Sequence, residues 1–177
     1  MKELMDVIVV GTTGRVVFTE TARCMQKMIR ELPLKGEVWS TSPYWNQALT
    51  SSVKQALTQG TEFLLFFDGD AVWDNSQVME LFNLISADES VDAVCPVQAD
   101  RNAVKPLVFD WMQEYGMKYD YTQPCTEIIH GHFGMSMIRS RVFRELPEPW
   151  FWDQPAVDGS WDIKEKKQDA DTYFWVK

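Results

Sequence analysis

The fold of this chain is decided by the stretch Phe63-Leu64-Leu65-Phe66-Phe67-Asp68-Gly69-Asp70. Its apolar part is short, rich in aromatic residues and preceded by Gly60, which is typical of a buried central strand. Two carboxylates, one residue apart, follow directly. Open α/β sheets bind ligands at the carboxyl ends of their strands, so we expect Asp68 and Asp70 at the mouth of a site. The alternative is that this Asp-Gly pair only builds a turn.

Predicted strands and helices alternate through the first hundred residues. Strands are predicted at Val7–Val10, Glu37–Ser42, Phe63–Phe67 and Val91–Val97, with helices in each interval between them. This alternation predicts an α/β fold with a parallel, doubly wound sheet flanked by helices. The alternation stops after Pro96, so for the whole chain we expect a mixed, mainly parallel, Rossmann-like sheet. With 177 residues, the chain suits a single domain. We expect a parallel half over residues 1–98 and a mixed half over residues 99–177.

The overall charge argues against a protein that binds the phosphate backbone of nucleic acids. The formal net charge is −9, and no Lys/Arg cluster is long enough to grip a nucleic-acid backbone. An acidic protein that handles phosphate needs a metal ion to supply positive charge. This requirement is consistent with a divalent cation between Asp68 and Asp70.

The cysteines and the amino-terminal segment indicate a reducing compartment. Cys24, Cys95 and Cys125 have neither metal-binding spacing nor the even number of a disulfide framework. Residues Met1–Val10 carry three charges, so they do not resemble a signal peptide. No apolar stretch approaches the roughly 20 residues needed to span a bilayer. We therefore expect a cytoplasmic protein without a membrane span.

Two further clusters carry groups capable of chemistry. His130 and His132 are two residues apart, so on a strand they would share a face and could bind one metal. We favour core packing for His130 and keep His132 as a third metal ligand beside the aspartates. Asp169 and Asp171 precede two aromatic residues, where burial could raise the pKa of a general base. Taken alone, however, such a run more often forms a solvated helix start.

Other enzyme classes lack their motifs. No Gly-x-Gly-x-x-Gly follows the first strand, and no Gly-x-x-x-x-Gly-Lys occurs. The Gly-x-Ser-x-Gly turn of the α/β hydrolases is also missing. These observations disfavour nicotinamide enzymes, P-loop enzymes and hydrolases of that type.

The order of the motifs resembles the family 2 glycosyltransferases with the GT-A fold, especially short members from phages and bacteria. The resemblance rests on five segments in the family's order: Val9–Gly14, Leu64–Trp73, Gly131–Phe143, Pro149–Phe151 and Ala170–Phe174. They are similar to the first-strand loop, the Asp-x-Asp element, the glycine-rich strand with its helix start, an aromatic segment and the Glu-Asp-x-x-Phe motif. The chain departs from the family at Gly11, at Trp45 and at Ala170.

The resemblance implies a transferase that uses a nucleotide-diphosphate sugar, most often a UDP-sugar, together with Mn²⁺ or Mg²⁺. It implies that residues 1–98 bind the nucleotide and that residues 99–177 face the acceptor. Around the nucleotide it places Gly11, Thr12, Thr13, Arg15, Asn46 and Asp68, and at the metal Asp68, Asp70 and His132. Asp171 would be the catalytic base of an inverting reaction, with Asp169 as the alternative because Ala170 replaces the usual Glu. Trp150 and Trp152 are candidates for stacking on an acceptor sugar.

Two other functions stay open at this point. A sugar nucleotidyltransferase has a similar sheet, but it normally needs a longer glycine-rich loop than Gly11–Arg15. A binding or scaffold domain that has lost turnover is consistent with the departures from the family pattern. The acceptor is equally open: a glycan, a protein and a modified nucleic-acid base are the candidates, and the net charge of −9 gives no support for the last of them. The sequence does not predict the oligomeric state.

Overall fold

The structure, a computed structural model, describes residues 4–12, 18–98, 125–128, 131, 133–155, 159 and 170–177. Within these ranges the strands are β1 (Met5–Thr12), β2 (Leu34–Ser40), β3 (Phe63–Phe67), β4 (Ala93–Val94) and β5 (Met135–Arg139). The helices in the same ranges are α1 (Thr19–Glu31), α2 (Trp45–Thr58), α3 (Asn75–Ala87), α4 (Ser140–Glu145) and α5 (Ala170–Val176). None of these helices is long and apolar enough to cross a membrane.

The strands form one mixed sheet in the order β2-β1-β3-β5-β4. β1 pairs in parallel with β2 on one side and with β3 on the other, so Val10 lies opposite both Val38 and Phe66. β5 runs antiparallel to β3 and to β4. Four of the described strands therefore point one way and β5 points the other. Because β5 lies between β3 and β4, the two predicted halves of the chain share this sheet.

β3 is the buried centre of the sheet, which confirms the prediction made from its apolar sequence. All of its residues are buried. Leu64 and Phe66 cluster with residues of α2, α4 and α5, whereas Phe63, Leu65 and Phe67 cluster with residues of α1 and α3. Because helices cover both faces, β3 reads as a continuous apolar run rather than as an alternating one.

Local signals explain where α1 ends and where α3 begins. Leu32 has an extended backbone because the ring of Pro33 disfavours the helical conformation in the residue before it. Asp74 is the N-cap of α3, and its Oδ1 accepts a hydrogen bond of 3.0 Å from the backbone N–H of Ser76. The Gln77 side chain accepts one of 2.8 Å from the Asp74 N–H, which completes a capping box.

β4 is shorter than predicted. The sequence predicts a strand at Val91–Val97, but the structure has one only at Ala93–Val94. Pro96 has no N–H to donate to a ladder, and the Val91 N–H is used in a turn, where it bonds to the Asp88 carbonyl at 3.1 Å. These two constraints limit the pairing with β5 to two residues.

Candidate functional site

Three parts of the chain converge at one edge of the sheet, where β1 and β3 end and β5 begins; we call it the carboxyl edge. The backbone N–H of Asp68 donates a hydrogen bond of 3.4 Å to the carbonyl of Gly134, so the turn after β3 contacts the residue before β5. The N–H of Phe18 donates one of 3.3 Å to the Gly69 carbonyl, which brings the start of α1 to the same place. This is the edge at which open α/β sheets bind ligands.

Asp68 and Asp70 lie on a tight turn at the carboxyl edge. The turn is closed by a hydrogen bond of 3.1 Å from the Ala71 N–H to the Asp68 carbonyl. Asp68 is half-buried and Asp70 is exposed. The sequence left open whether Asp68 and Asp70 build a turn or a ligand site. The two roles are compatible, because the turn itself carries both residues at this edge.

Asp68 and Asp70 are the residues of this turn that could hold a hard cation together with a substrate. Mg²⁺ is commonly held by one or two carboxylates, with phosphate oxygens and waters completing its coordination. Asp68 and Asp70 could provide two such carboxylates. The phosphate oxygens of a bound nucleotide-sugar donor could provide further ligands. The described ranges contain no group of three or more His, Cys, Asp or Glu side chains that could hold a metal ion. His132, the predicted third ligand, lies outside the described residues.

Asp171 is connected to the carboxyl edge by a hydrogen bond with Phe133. It lies in the first turn of α5, and its Oδ2 accepts a hydrogen bond of 3.2 Å from the backbone N–H of Phe133. Phe133 directly precedes Gly134, whose carbonyl accepts the Asp68 N–H. A short series of backbone contacts thus connects the predicted base with the predicted metal-binding turn. Asp169, the alternative base, lies outside the residues that the structure describes.

An aromatic cluster below the carboxyl edge holds α5 in place. Phe174 of α5 is buried, and its ring centroid lies 5.2 Å from that of Phe133, 5.3 Å from that of Phe143 and 5.5 Å from that of Phe151. Phe133 in turn contacts Phe66 of β3 at 5.1 Å. Each such pair adds about 0.5–1.5 kcal/mol beyond burial. A helix of seven residues, too short to be stable alone, is therefore anchored to β3.

The two tryptophans predicted on the acceptor side differ in exposure. Trp150 is 4% exposed, its Nε1 donates a hydrogen bond of 3.1 Å to the Leu146 carbonyl, and its ring packs against Phe143 at 5.5 Å. These contacts are typical of a core residue. They explain the presence of Trp150 without a role in binding an acceptor. Trp152 is 47% exposed. Stacking on an acceptor sugar therefore stays a prediction for Trp152.

Gly11, predicted to border the nucleotide, is covered by Trp39. The two residues lie opposite each other in the register of β1 and β2, and a Cβ atom on Gly11 would overlap the Trp39 indole. The Gly11 carbonyl accepts a hydrogen bond of 3.0 Å from Ser52 Oγ of α2. Glycine is thus required at position 11 because the indole approaches the backbone so closely. The half-buried ring of Trp39 lies near the carboxyl end of β2.

The other residues predicted around the nucleotide are placed in part. Thr12 is the last residue of β1, and Asn46 lies in the first turn of α2. The bond from Ser52 to Gly11 fixes α2 beside the end of β1. Asn46 lies six residues earlier, about 9 Å along the helix axis, and therefore beyond the strand end. Thr13 and Arg15 lie outside the described residues, so their roles stay predictions.

Sequence reasoning misses two residues at this edge. The first is Trp39, whose indole covers Gly11. The second is Gln98, whose side-chain amide packs so closely on Gly134 that a Cβ atom there would overlap it. Gln98 Nε2 is buried without a hydrogen-bond partner in the described part of the chain. Trp39 lies near the carboxyl end of β2, and Gln98 lies just beyond that of β4; both strands are parallel to β3. This position alone could have indicated from the sequence that the two residues lie near the site.

Comparisons with known proteins bear on the fold alone. Neither the protein-family models nor the curated protein sequences give a match. Among solved structures, the chain is similar to the crystal structure of A197 from STIV, with a TM-score of 0.59 and 15% sequence identity over 97% of this chain and 76% of that chain. This similarity and the described elements define a single α/β domain with a five-stranded mixed sheet flanked by helices, consistent with a Rossmann-like fold.

Proposed function

We propose that this chain is a metal-dependent glycosyltransferase with a GT-A fold, which transfers a sugar from a nucleotide-diphosphate sugar to an acceptor hydroxyl. One observation carries the proposal: the carboxylate of Asp171 is bonded to the backbone of Phe133, next to the Gly134 carbonyl that accepts the Asp68 N–H. Asp68 and Asp70, which are neighbours in the sequence, and the distant Asp171 thereby belong to one edge. Their order along the chain is that of the family whose motifs the sequence resembles.

The donor would bind along the carboxyl ends of β1 and β3. Gly11, Thr12, Thr13, Arg15 and Asn46 would border the nucleotide, with Asp68 beside them. Asp68 and Asp70 would hold Mn²⁺ or Mg²⁺ against the diphosphate, and His132 is a candidate for a further ligand. The ion would neutralise the charge of the departing nucleoside diphosphate. This arrangement explains how a chain with a net charge of −9 could bind a doubly phosphorylated donor.

Asp171 would act as the general base toward the acceptor. Its carboxylate would accept the proton of an acceptor hydroxyl while the hydroxyl oxygen forms a bond to the anomeric carbon of the sugar. The bond from that carbon to the diphosphate oxygen breaks on the opposite face, which inverts the configuration. General-base assistance typically contributes about 10²–10⁴ in rate. The hydrogen bond from Phe133 would orient the carboxylate, and the exposed ring of Trp152 could contact the acceptor.

A thermal-shift panel tests the donor class and the metal together. The protein is heated with UDP-, GDP-, ADP- and TDP-sugars, each with Mn²⁺ and with EDTA. A donor at one hundred times its Kd stabilises the native state by about 2.7 kcal/mol, which raises the Tm of a chain of this size by about 5–10 °C. We expect one nucleotide class to give such a rise, and EDTA to abolish it.

The panel is followed by a turnover assay with the stabilising donor. Release of nucleoside diphosphate in the presence of Mn²⁺ is the expected result. Chelator-sensitive binding without any release would favour the binding or scaffold domain. Release of pyrophosphate from a nucleoside triphosphate would favour the nucleotidyltransferase. If no nucleotide sugar raises the Tm with Mn²⁺, the proposal is wrong.

A further inference from the structure

A second concave region lies at the opposite edge of the sheet, where β1 and β3 begin and β5 ends. It is a cavity of about 780 Å³, within the range of about 300–1,000 Å³ that is typical of small-molecule sites. Its apolar wall includes Met5, Leu32, Pro33, Phe63, Met79 and Phe82, which come from β1, β3, α3 and the segment after α1. Met5 and Phe63 are buried, so this wall belongs to the rigid core of the sheet.

The cavity is separate from the site proposed for the sugar donor. It contacts Phe63 at the start of β3, whereas Asp68 follows the end of that strand. Five residues of β-strand span about 16 Å. A ligand in the cavity would therefore leave the carboxyl edge open, and its binding can be measured without a nucleotide. The inference below thus goes beyond the proposed function and does not depend on it.

Most charges that line the cavity are already paired within the protein. Asp6 is bonded to Lys35 at 2.8 Å, and Glu62 to Arg139 at 2.6 Å. The exception is Glu89: among the described residues its carboxylate makes no direct ion pair, and it has a longer-range electrostatic interaction with Arg141, whose guanidinium is bonded to Asp92. Among the charges that line this cavity, the least compensated one is therefore that of Glu89, and it is negative.

The guanidinium of Arg139 is a wall of the cavity rather than an anchor for an anion. In addition to Glu62, it donates to the carbonyls of Ile85 at 2.5 Å, Val91 at 2.8 Å and Asp88 at 3.1 Å. These bonds use four of the five N–H groups of the guanidinium, so at most one is left for an anionic ligand. The guanidinium is also nearly buried, so a bond broken there would be costly.

A smaller cavity of about 370 Å³ adjoins the first and contains two further arginines. Arg141 is bonded to the Asp92 carboxylate at 2.7 Å, and it also donates to the Glu89 carbonyl at 2.6 Å. Arg144 lines this smaller cavity but not the larger one. Arg144 is therefore the competing anchor, and it would favour an anionic ligand that reaches beyond the apolar wall.

We infer that the larger cavity binds a small amphipathic molecule with an apolar body and a cationic head group. The apolar body packs between α3 and the sheet, against Met79 and Phe82. Methionine side chains adapt their shape to such a body. The cationic head lies at the mouth of the cavity beside the Glu89 carboxylate. Charge complementarity with Glu89 selects this ligand over an anionic one of the same length.

The inference is tested with three probes that share one alkyl chain: n-decylammonium, n-decanol and n-decanoate. Each is titrated calorimetrically into the protein below the critical micelle concentration of the probe. We expect n-decylammonium to bind tighter than n-decanol by about two- to fivefold, the ratio expected for one partly exposed ion pair. We expect n-decanoate to bind weakest of the three.

Two pairs of variants on and beside α3 locate the site. Ser86 is exposed and lines the cavity, so Ser86→Trp should fill it and weaken all three probes by roughly tenfold or more. Asn83→Trp on the same helix, outside the lining, is the matched control and should change nothing. Glu89→Lys should reverse the preference between n-decylammonium and n-decanoate. Glu80→Lys makes the same charge change away from the cavity and should preserve the preference.

Three results would overturn the inference. The first is that none of the probes binds. The second is that n-decanoate binds tightest, which would assign the head-group position to Arg144 instead. The third is that Ser86→Trp and Asn83→Trp bind all probes alike, which would place binding elsewhere. Donor binding at the carboxyl edge is a separate measurement, so failure here is distinguishable from failure of the proposed function.

Discussion

The backbone N–H of Phe133 donates a hydrogen bond to Oδ2 of Asp171, with the two atoms 3.2 Å apart. It joins the segment before β5 to the first turn of α5, across 38 positions of the chain. Because Phe133 packs on Phe66 of β3, the same residue that orients the carboxylate is fixed to the central strand. The position of the predicted base thus depends on the core as well as on its own helix.

Replacing Asp171 with Asn should separate catalysis from binding. The amide can still accept the Phe133 N–H, but it cannot take a proton from an acceptor hydroxyl. We expect the rate of sugar transfer to fall by about 10²–10⁴ while the donor still raises the Tm. Transfer assays and thermal shifts on the same preparation make the comparison.

The variant Asp169→Asn decides between the two acidic residues of that segment. If Asp171 is the base, Asp169→Asn should keep most of the transfer rate. The opposite ranking of the two variants would reassign the role to Asp169. Equal, wild-type rates in both variants would exclude a general base at either position.

Replacing Asp70 with Asn should weaken the binding of the metal ion. The substitution preserves the size of the side chain and removes one charged oxygen ligand. We expect the affinity for Mn²⁺ to fall by at least about 10–100-fold, the loss typical of changes in the outer shell of a metal site. Titration of Mn²⁺ in the presence of the donor measures it. Glu80→Gln removes an exposed carboxylate from α3 and should leave the titration unchanged.

Replacing Phe174 with Ala should destabilise the protein by about 3–5 kcal/mol, the usual cost of removing a buried phenyl ring. It should also lower transfer further than the lost stability explains, because α5 carries Asp171. Urea unfolding and transfer assays below the unfolding transition measure the two effects. Tyr173→Ala, one residue earlier and only half-buried, is the control and should have little effect on either. Wild-type transfer by a folded Phe174→Ala protein would contradict the role given to the cluster.

Replacing Gly11 with Ala should displace the indole of Trp39. The added Cβ would overlap the ring, and overpacking of this kind costs about 1–3 kcal/mol. Gly36→Ala in β2 is the matched control, because a Cβ there would meet only the Gln59 side chain at an ordinary 3.5 Å. Denaturant unfolding of both variants tests the difference. Equal stability of the two would show that the indole moves aside without cost.

The N-cap of α3 makes stability depend on pH. The backbone N–H of Ser76, and after it the ammonium of Lys27 at 3.2 Å, lower the pKa of Asp74 below its ordinary value. The native state therefore binds this proton more weakly than the unfolded chain does. The resulting stabilisation is complete above about pH 4 and is lost as the pH falls through the lowered pKa. We expect Asp74→Ala to lower the Tm at pH 7 and to matter less near pH 2; an equal gap at both pH values would contradict this.

Features that depend on local interactions could be predicted from the sequence, whereas features that depend on contacts between distant segments could not. β3 and α3 could be predicted because their signals are local: an apolar run for the strand, and a capping Asp74 for the helix. The place of β5 could not be predicted. The sequence of Met135–Arg139 does not indicate that this strand lies between β3 and β4 and runs antiparallel to both. Its direction is fixed by pairing between distant segments.

The candidate site shows the same division. Asp68 and Asp70 could be placed at the carboxyl edge because they follow a recognisable strand. The bond from Phe133 to Asp171 could not be foreseen, since it links a side chain to the backbone of a distant segment. The contact between Trp39 and Gly11 depends on the register of β1 with β2, which the hydrophobic pattern alone leaves undetermined.

The late arrival of β5 has a consequence for biosynthesis. β3 has β1 beside it as soon as it leaves the ribosome, but its other neighbour is made roughly 70 residues later. At translation rates of about 5–20 residues per second, one edge of a wholly apolar strand stays uncovered for roughly 3–14 seconds. Such an edge can pair with another nascent chain. The yield of native protein should therefore respond to the speed of translation between these two strands.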